Sequence, residues 1–472
     1  MSTQKRVPGR IRRRVPPEAW APLQAFARRA RGPLDRFLEI EAASGLLLIA
    51  VAAAAVVWAN SPWRASYAAL WEMPVGVRMG SIAFERSLGW VVNDVLMVVF
   101  FFVVGLEIRR EIHEGELSER RRAALPVIAA VGGMVVPALI YMGIAGAPPM
   151  ASGWGVPMAT DIAFAVGVLS ILGTRVPPAL RVLLLALAVI DDLGAIIVIA
   201  MFYSGGIQWG GIGVAVAALG VIVVMQRAGV RASLPYVAPA AVAWAGTYVA
   251  GVHPTIAGVA VGLLTPVQAW LHPSDLRREA SRVVDRLRTP EWTASPQGVR
   301  DSVRALSHAV VEVRSPVARL VETLHPWVAY GVMPTFALAN AGVTIDLSDL
   351  DGSAGRVVGG VAAGLVIGKP VGVVLACVVA ARTGLAQLPT GIGVREVVVL
   401  GCVAGIGFTM SLFVGQLAFA DGPLLAAAKV GILGASVVAA LLGLGLGWLV
   451  LMPDATLGEA ATANLAEQST EA

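Results

Sequence analysis

The chain has 472 residues, of which 57% are hydrophobic and only 14% charged, with a formal net charge of +5. A soluble globular domain carries about 25% charged residues, so a soluble enzyme or binding module is excluded and an all-α polytopic membrane protein is expected. The positive charge does not point to nucleic acid, because the arginines gather in the N-terminal stretch and in loops between apolar runs.

Residues 1–36 are basic and Pro-rich, with Arg10, Arg12, Arg13, Arg14, Arg28, Arg29 and Arg31 against few acids. They read as a disordered tail kept in the cytoplasm. No apolar core with an A-x-A site follows promptly, so no cleavable signal peptide is expected. Residues 37–453 form the transmembrane domain, and 454–472 a second disordered cytoplasmic tail. Within the domain about twelve apolar spans follow, roughly at 40–59, 88–106, 123–146, 154–173, 178–203, 207–226, 234–251, 254–271, 326–344, 357–381, 395–419 and 424–452. The eighth is short.

Arginine sorts the loops. Those after the even-numbered spans hold Arg109, Arg110 and Arg120 to Arg122, then Arg175 and Arg181, Arg227 and Arg231, a dense set from Arg277 to Arg319, and Arg382 with Arg395. The opposite loops hold only Arg64, Arg78, Arg86 and Arg356. Positive-inside then places both termini in the cytoplasm. Between the first two spans, 74–85 alternates apolar and polar residues around Met79-Gly80-Ser81, which predicts an external β-hairpin. A lone hairpin is marginal, so it is expected to pair with a second copy. Residues 272–324 are Arg/Glu-rich and read as an extended cytoplasmic loop, part amphipathic helix and part disorder. Cys377 and Cys402 lie in apolar runs and read as inert buried thiols.

Ionisable side chains interrupt the runs. Asp161 sits in GWGVPMATDIAF, Asp191 and Asp192 in LLLALAVIDDLGAIIVIA, and Lys369, one of three lysines in the chain, in GLVIGKPVG. Each costs roughly 2.5–3.5 kcal/mol at the centre of a spanning helix. The chain can carry them only if they meet one another, water or an ion inside a bundle. Spans 4 and 11 are also broken, the first by Pro157 before Thr160 and Asp161, the second by Gly401, Gly405 and Gly407. Irregular backbone is tolerated at that depth where it lines a cavity or is covered by protein. Spans 3–5 and 10–12 read as two copies of one three-helix unit, and matched broken helices point to a transporter site.

Asp191 and Asp192 lie about 100° apart around a helix and can border one cavity with different partners. Two close carboxylates resist joint ionisation, which makes a cation site that must lose protons to bind. Lys369 fits either a proton carrier or a fixed charge balancing helix dipoles. At the cytoplasmic end GLEIRREIHEGEL puts Glu107 and Glu111 a turn apart, and His325 opens HPWVAY. These fit either an interfacial salt-bridge network or a pH-sensing cluster. His253 reads as a boundary histidine rather than a ligand. An intramembrane aspartyl protease would need Tyr-Asp or Gly-x-Gly-Asp strings, and a channel a repeated filter loop; neither is present.

Taken together, WVVNDVLMVVFFFVVGLEIRRE, ALPVIAAVGGMVVPALIY, ATDIAFAVGVLSILGTRVP, ALAVIDDLGAIIVIA, HPWVAYGVMPTFALANAG, GLVIGKPVG and GIGFTMSLF resemble the bacterial NhaA-type sodium/proton antiporters. The resemblance runs over nearly all of the membrane region. It implies inverted repeats, a multi-pass place in the bacterial inner membrane, exchange of Na⁺ or Li⁺ for protons, and no cofactor. It implies that Asp191 and Asp192 bind the ion and the protons, with Lys369 opposite. Thr160 and Asp161 would sit at the break of span 4, where Asp161 offsets half-helix N-termini and Lys369 C-terminal ends. Asp94 would line the approach, Glu107, Glu111 and His325 would serve the pH response, and the hairpin would join a homodimer. The chain departs from the family's pattern before His325, where RLVETLHPWVAY has Val321 in place of an acid and Glu322 in place of a histidine. It departs again at Pro254, where the family often has alanine.

Overall fold

The computed structural model describes residues 33–451 apart from 80–81, 270, 272, 289–299, 302–303, 305, 308–309, 311, 345–351, 390 and 420–421. The two disordered tails expected from sequence lie outside these residues except at 33–36, which are helical: α1 runs Pro33–Ala59. The chain divides into a unit ending at Ile40 and one beginning at Glu41, and the second carries the helix bundle.

A short helix, α2 (Arg64–Glu72), leads to β1 (Pro74–Met79) and β2 (Ile82–Ser87). The strands pair antiparallel from Pro74 opposite Ser87 to Met79 opposite Ile82, two residues longer than the expected hairpin. Its turn residues Gly80 and Ser81 lie outside the described residues. Ser87 then caps α3 (Leu88–Glu114), its hydroxyl accepting from the Trp90 N–H at 3.1 Å. Arg86 donates to the Tyr248 hydroxyl at 2.8 Å and lies over the Trp90 ring, and Trp90, Trp244 and Tyr248 cluster beside it. Amphipathic rings of this kind suit the membrane–water boundary.

Next come α4 (Arg120–Ala145), a 3-10 helix Met150–Met158, α5 (Ile162–Ile171), α6 (Pro178–Phe202), α7 (Trp209–Arg227), α8 (Val237–Val249) and α9 (Thr255–Leu264). The amphipathic helix expected in the cytoplasmic loop is α10 (Pro273–Arg288); the part read as disorder falls largely outside the described residues. The loop also ends earlier than expected. The helix containing His325 opens at Pro316, where Ser315 accepts from Ala318 N–H at 3.2 Å, and not at Pro326. Its first turns are charged on one face and carry no hydropathy signal. This α11 (Pro316–Trp327) continues through a widened turn, Val328–Val332, into α12 (Met333–Asn340). The chain closes with α13 (Ser353–Thr383), α14 (Val394–Ala404), α15 (Phe408–Ala418) and α16 (Pro423–Val450).

Among the described residues seven helices are long and apolar enough to span a membrane. The bent pairs Met150–Met158 with α5 (47°) and α14 with α15 (51°) bring the number to nine. Where the three other spans are expected the chain forms helices, α8, α9 and α11–α12, that are too short or too interrupted to count as spans by length and composition. Both helix breaks expected from sequence, in spans 4 and 11, are therefore found. Small residues let the helices close up. Gly132 on α4 and Gly372 on α13 meet so tightly that a Cβ on either would strike the other's carbonyl oxygen, and where α3 meets α9 a Cβ on Gly105 would strike the Val259 carbonyl oxygen and one on Gly262 that of Phe102. Of the seven unbroken spans α6 is the most buried, and it carries Asp191 and Asp192.

Candidate ion-binding site

The two breaks cross at the centre of the bundle. Past Met158 the backbone is extended at Ala159 and Asp161, and the Asp161 N–H donates to the Ile406 carbonyl, in the other break, at 2.7 Å. Gly407 makes this approach possible, since a Cβ there would collide with Ser411 Oγ and stand 3.0 Å from the Ala159 carbonyl oxygen.

Each break leaves two orphan helix ends inside the protein, and each end has a partner. The Asp161 carboxylate accepts from Phe164 N–H at 3.0 Å, capping α5, and from both the N–H (3.0 Å) and the hydroxyl of Thr409, capping α15. One negative charge thus serves two positive dipole ends. At the opposite ends, Lys369 Nζ donates to the Met158 carbonyl. Thr160 Oγ1 lies 2.8 Å from the Ala404 carbonyl oxygen and 2.7 Å from Asp191 Oδ2, with one hydrogen to share between them. The Ser436 hydroxyl accepts from Phe408 N–H at 3.1 Å, and Ser411 donates to the Val156 carbonyl at 2.8 Å.

Lys369 joins this frame to the carboxylates. Its Nζ stands 2.5 Å from Asp191 Oδ2, with both side chains fully buried. The Lys369 N–H bonds the Gly364 carbonyl five residues back, so a widened π turn precedes it. Gly133 on α4 leaves space beside the lysine stem, a Cβ there standing 3.8 Å from Lys369 Cε. Asp192 lies within electrostatic range of Asp191, Glu107, Asp161 and Lys369. Asp191 Oδ1 and Asp192 Oδ1 are buried without a hydrogen-bond partner among the described residues. Orphaned buried oxygens are rare and demand an explanation. Two of them on adjacent carboxylates, beside a single lysine, are what a small cation or a proton would satisfy.

The profile of the family described as Na+/H+ antiporter 1 matches residues 35–447. A protein of Myxococcus xanthus named Na(+)/H(+) antiporter NhaA 2 is 57% identical over 97% of both chains. A protein of the same name from Sorangium cellulosum is 52% identical over 97% of this chain and 98% of its own, and Na(+)/H(+) antiporter NhaA from Bordetella petrii is 46% identical over 94% and 96%. The chain belongs to the NhaA Na⁺/H⁺ antiporter family. This is a family of transporters and not of enzymes, and the chain is a multi-pass membrane protein.

The remaining residues singled out from sequence fall into two groups. At one end of α3, Glu107 is buried with its Oε1 3.8 Å from His325 Nε2, and Glu111 stands one turn further out, half-buried. Sequence reasoning missed the third acid, Glu41 on α1, whose Oε1 is 2.7 Å from His325 Nε2. Val321, where the NhaA pattern has an acid, is buried against Leu106 and Val317. The carboxylate nearest His325 therefore comes from a different helix. At the other end of α3, Asp94 lies in a second widened turn, where Met97 N–H bonds the Val92 carbonyl. Its Oδ1 is 3.9 Å from His253 Nε2. His253 also bonds Thr255 Oγ1 at 2.8 Å and meets the Phe413 ring edge-on. Thr409 was missed as well, since a hydroxyl in an apolar run is silent in hydropathy; its place two residues after the Gly405-Ile406-Gly407 break was the available signal.

Proposed function

We propose that the protein carries Na⁺, or Li⁺ in its place, out of the cytoplasm in exchange for entering protons, for sodium and pH homeostasis. The observation that carries this reading is the pair of orphaned oxygens on Asp191 and Asp192, one carboxylate in an ion pair with Lys369 and the other in no ion pair among the described residues. Asp192 is the principal binding group for the cation and the proton. Asp191 exchanges its ion pair with Lys369 as the cargo changes, while Thr160 and Asp161 hold the crossing in place. Asp94 lines the outer approach, and Glu107, Glu111 and His325, joined by Glu41, make up the pH-responsive region at the cytoplasmic mouth. If more than one proton enters per Na⁺, each cycle moves net charge, worth about 2.3 kcal/mol per 100 mV.

Twelve crossings with both termini in the cytoplasm of a bacterial inner membrane is the topology this reading uses. Its support is the arginine sorting of the loops and the helices found where the three additional spans were expected. The reading of two inverted three-helix repeats draws on element order. A long helix, a bent pair and a long helix occur as α4 to α6 and again as α13 to α16.

Competition tests the site. Na⁺-dependent dequenching in everted vesicles is expected for the wild type. The Na⁺ concentration giving half the response should rise about tenfold per unit fall in pH for each competing proton, because each unit is 1.36 kcal/mol. A half-saturating Na⁺ that ignores pH would exclude a shared site. The hairpin is proposed to join two copies, because a two-stranded sheet has open edges on both sides. Deleting residues 75–84 is expected to weaken the dimer in gel filtration and cross-linking while leaving exchange intact without salt stress; an unchanged dimer would count against this role.

A further inference from the structure

Three amide side chains that neither the cation site nor the cytoplasmic cluster uses meet at the other end of the bundle. Asn340, at the end of α12 and only 3% exposed, donates to Asn93 Oδ1 on α3 at 2.8 Å and to the Phe336 carbonyl on its own helix at 3.0 Å. Gln416 on α15 donates in turn to Asn340 Oδ1. The chain Asn93–Asn340–Gln416 thus ties three helices together, and one of them is the outer half of a broken span.

The same face of α15 runs back to the ion site. Thr409, Phe413 and Gln416 stand at i, i+4 and i+7 and so share one stripe. Thr409 holds Asp161 at the inner end. In the middle Phe413 packs against Phe101 of α3 (5.2 Å between centroids) and Phe336 of α12 (6.2 Å), all three essentially fully buried. The seam between the carboxylates and the Asn93 end is therefore filled, and the amides close it. Among the described residues Gln416 reaches Asn93 only through Asn340, so a small outward shift of α15 breaks the chain at one bond without leaving a charge behind.

We infer that Asn93, Asn340 and Gln416 form a latch holding the outer half of the second broken span against α3 and α12, made when the site is shut from the Asn93 side and broken when it opens there. The inference rests on the antiport reading and deepens it, since alternating access needs an element that biases two states. An amide hydrogen bond between membrane helices suits the task, strong enough to weight one state and weak enough to break in every cycle.

The test is Gln416→Met, which keeps side-chain length and removes the donor. Purified protein is reconstituted into proteoliposomes, and half-saturating Na⁺ is measured separately on each face. The apparent affinity on a face falls with the fraction of protein open to it. Loss of the bond should lower half-saturating Na⁺ on the Asn93 face, outer in the proposed topology, by about three- to eighteen-fold, from the average to the largest measured interhelical bond. On the opposite face it should hold or rise. Asn93→Ala removes the far end of the chain and should give the same pair of shifts; it carries the test if Gln416→Met fails to insert. A merely structural role would lower the maximal rate and leave both values unchanged or moving together, and that result overturns the latch. Wild-type protein that exchanges no Na⁺ in the same proteoliposomes would instead overturn the antiport reading.

Discussion

Asp192→Asn is expected to reduce Na⁺-dependent exchange to background while the protein still inserts and melts at a nearly unchanged temperature. The two halves of this result have separate causes. An amide carries no charge to offset a cation and no proton to release, so the binding step disappears. The fold is spared because Asp192 Oδ1 has no hydrogen-bond partner to lose among the described residues and an amide has nearly the shape of a carboxylate. Stability should move by no more than about 0.5–1 kcal/mol, the range for substitutions that break no contact. Asp191→Asn makes the contrast. It removes the 2.5 Å ion pair to Lys369 and the Thr160 contact, so it should cost stability as well as transport. Everted-vesicle dequenching read beside thermal unfolding separates the two variants. Normal exchange by Asp192→Asn would sink the proposed site.

Lys369→Ala is the second large effect and falls first on stability. The ammonium holds the Asp191 carboxylate and the Met158 carbonyl that ends a half-helix, so its removal strands both. Breaking one side of a buried ion pair costs about 3–5 kcal/mol, and a clear drop in melting temperature is expected. The double variant Lys369→Ala with Asp191→Asn should recover part of that loss, because the stranded charge goes too; melting no better than the single variant would place the cost in packing alone. Lys369→Arg keeps a positive charge that cannot deprotonate in the working range. It should restore stability in either role. A fixed counter-ion predicts that electrogenic exchange returns with it, whereas a proton carrier predicts exchange that fails or becomes electroneutral. Transport measured with and without an imposed membrane potential tells these apart.

How far the sequence could be read depended on where membrane burial makes a residue conspicuous. Asp161, Asp191, Asp192 and Lys369 announce themselves because an ionisable group in an apolar run needs a reason, and Pro157 and the glycines of GCVAGIG mark both breaks for the same reason of scarcity. Glu41 stayed hidden because it opens a span beside other charged residues, where an acid is ordinary; only folding brings it to His325. Thr409, Asn340 and Gln416 carry no charge and scarcely disturb hydropathy, yet they decide how α15 is held. The start of α11 at Pro316 was lost because its first turns belong to a charged amphipathic surface, which resembles a loop when only apolar length is counted.

The widened turns at Val91–Leu96, Val328–Val332 and Gly364–Gly368 have a consequence for how these helices read as patterns. Each accommodates a surplus residue, so the winding on either side is out of phase by about 100°. A substitution scan along α3, α11–α12 or α13 should not give one continuous wave of sensitivity. It should give two waves with a phase jump between them, close to Asp94 in the first helix and just before Lys369 in the last. The same offset frees evolution to choose the lipid-facing stripe of each half separately, so an alignment gap of one residue at these places leaves the packing on both sides intact.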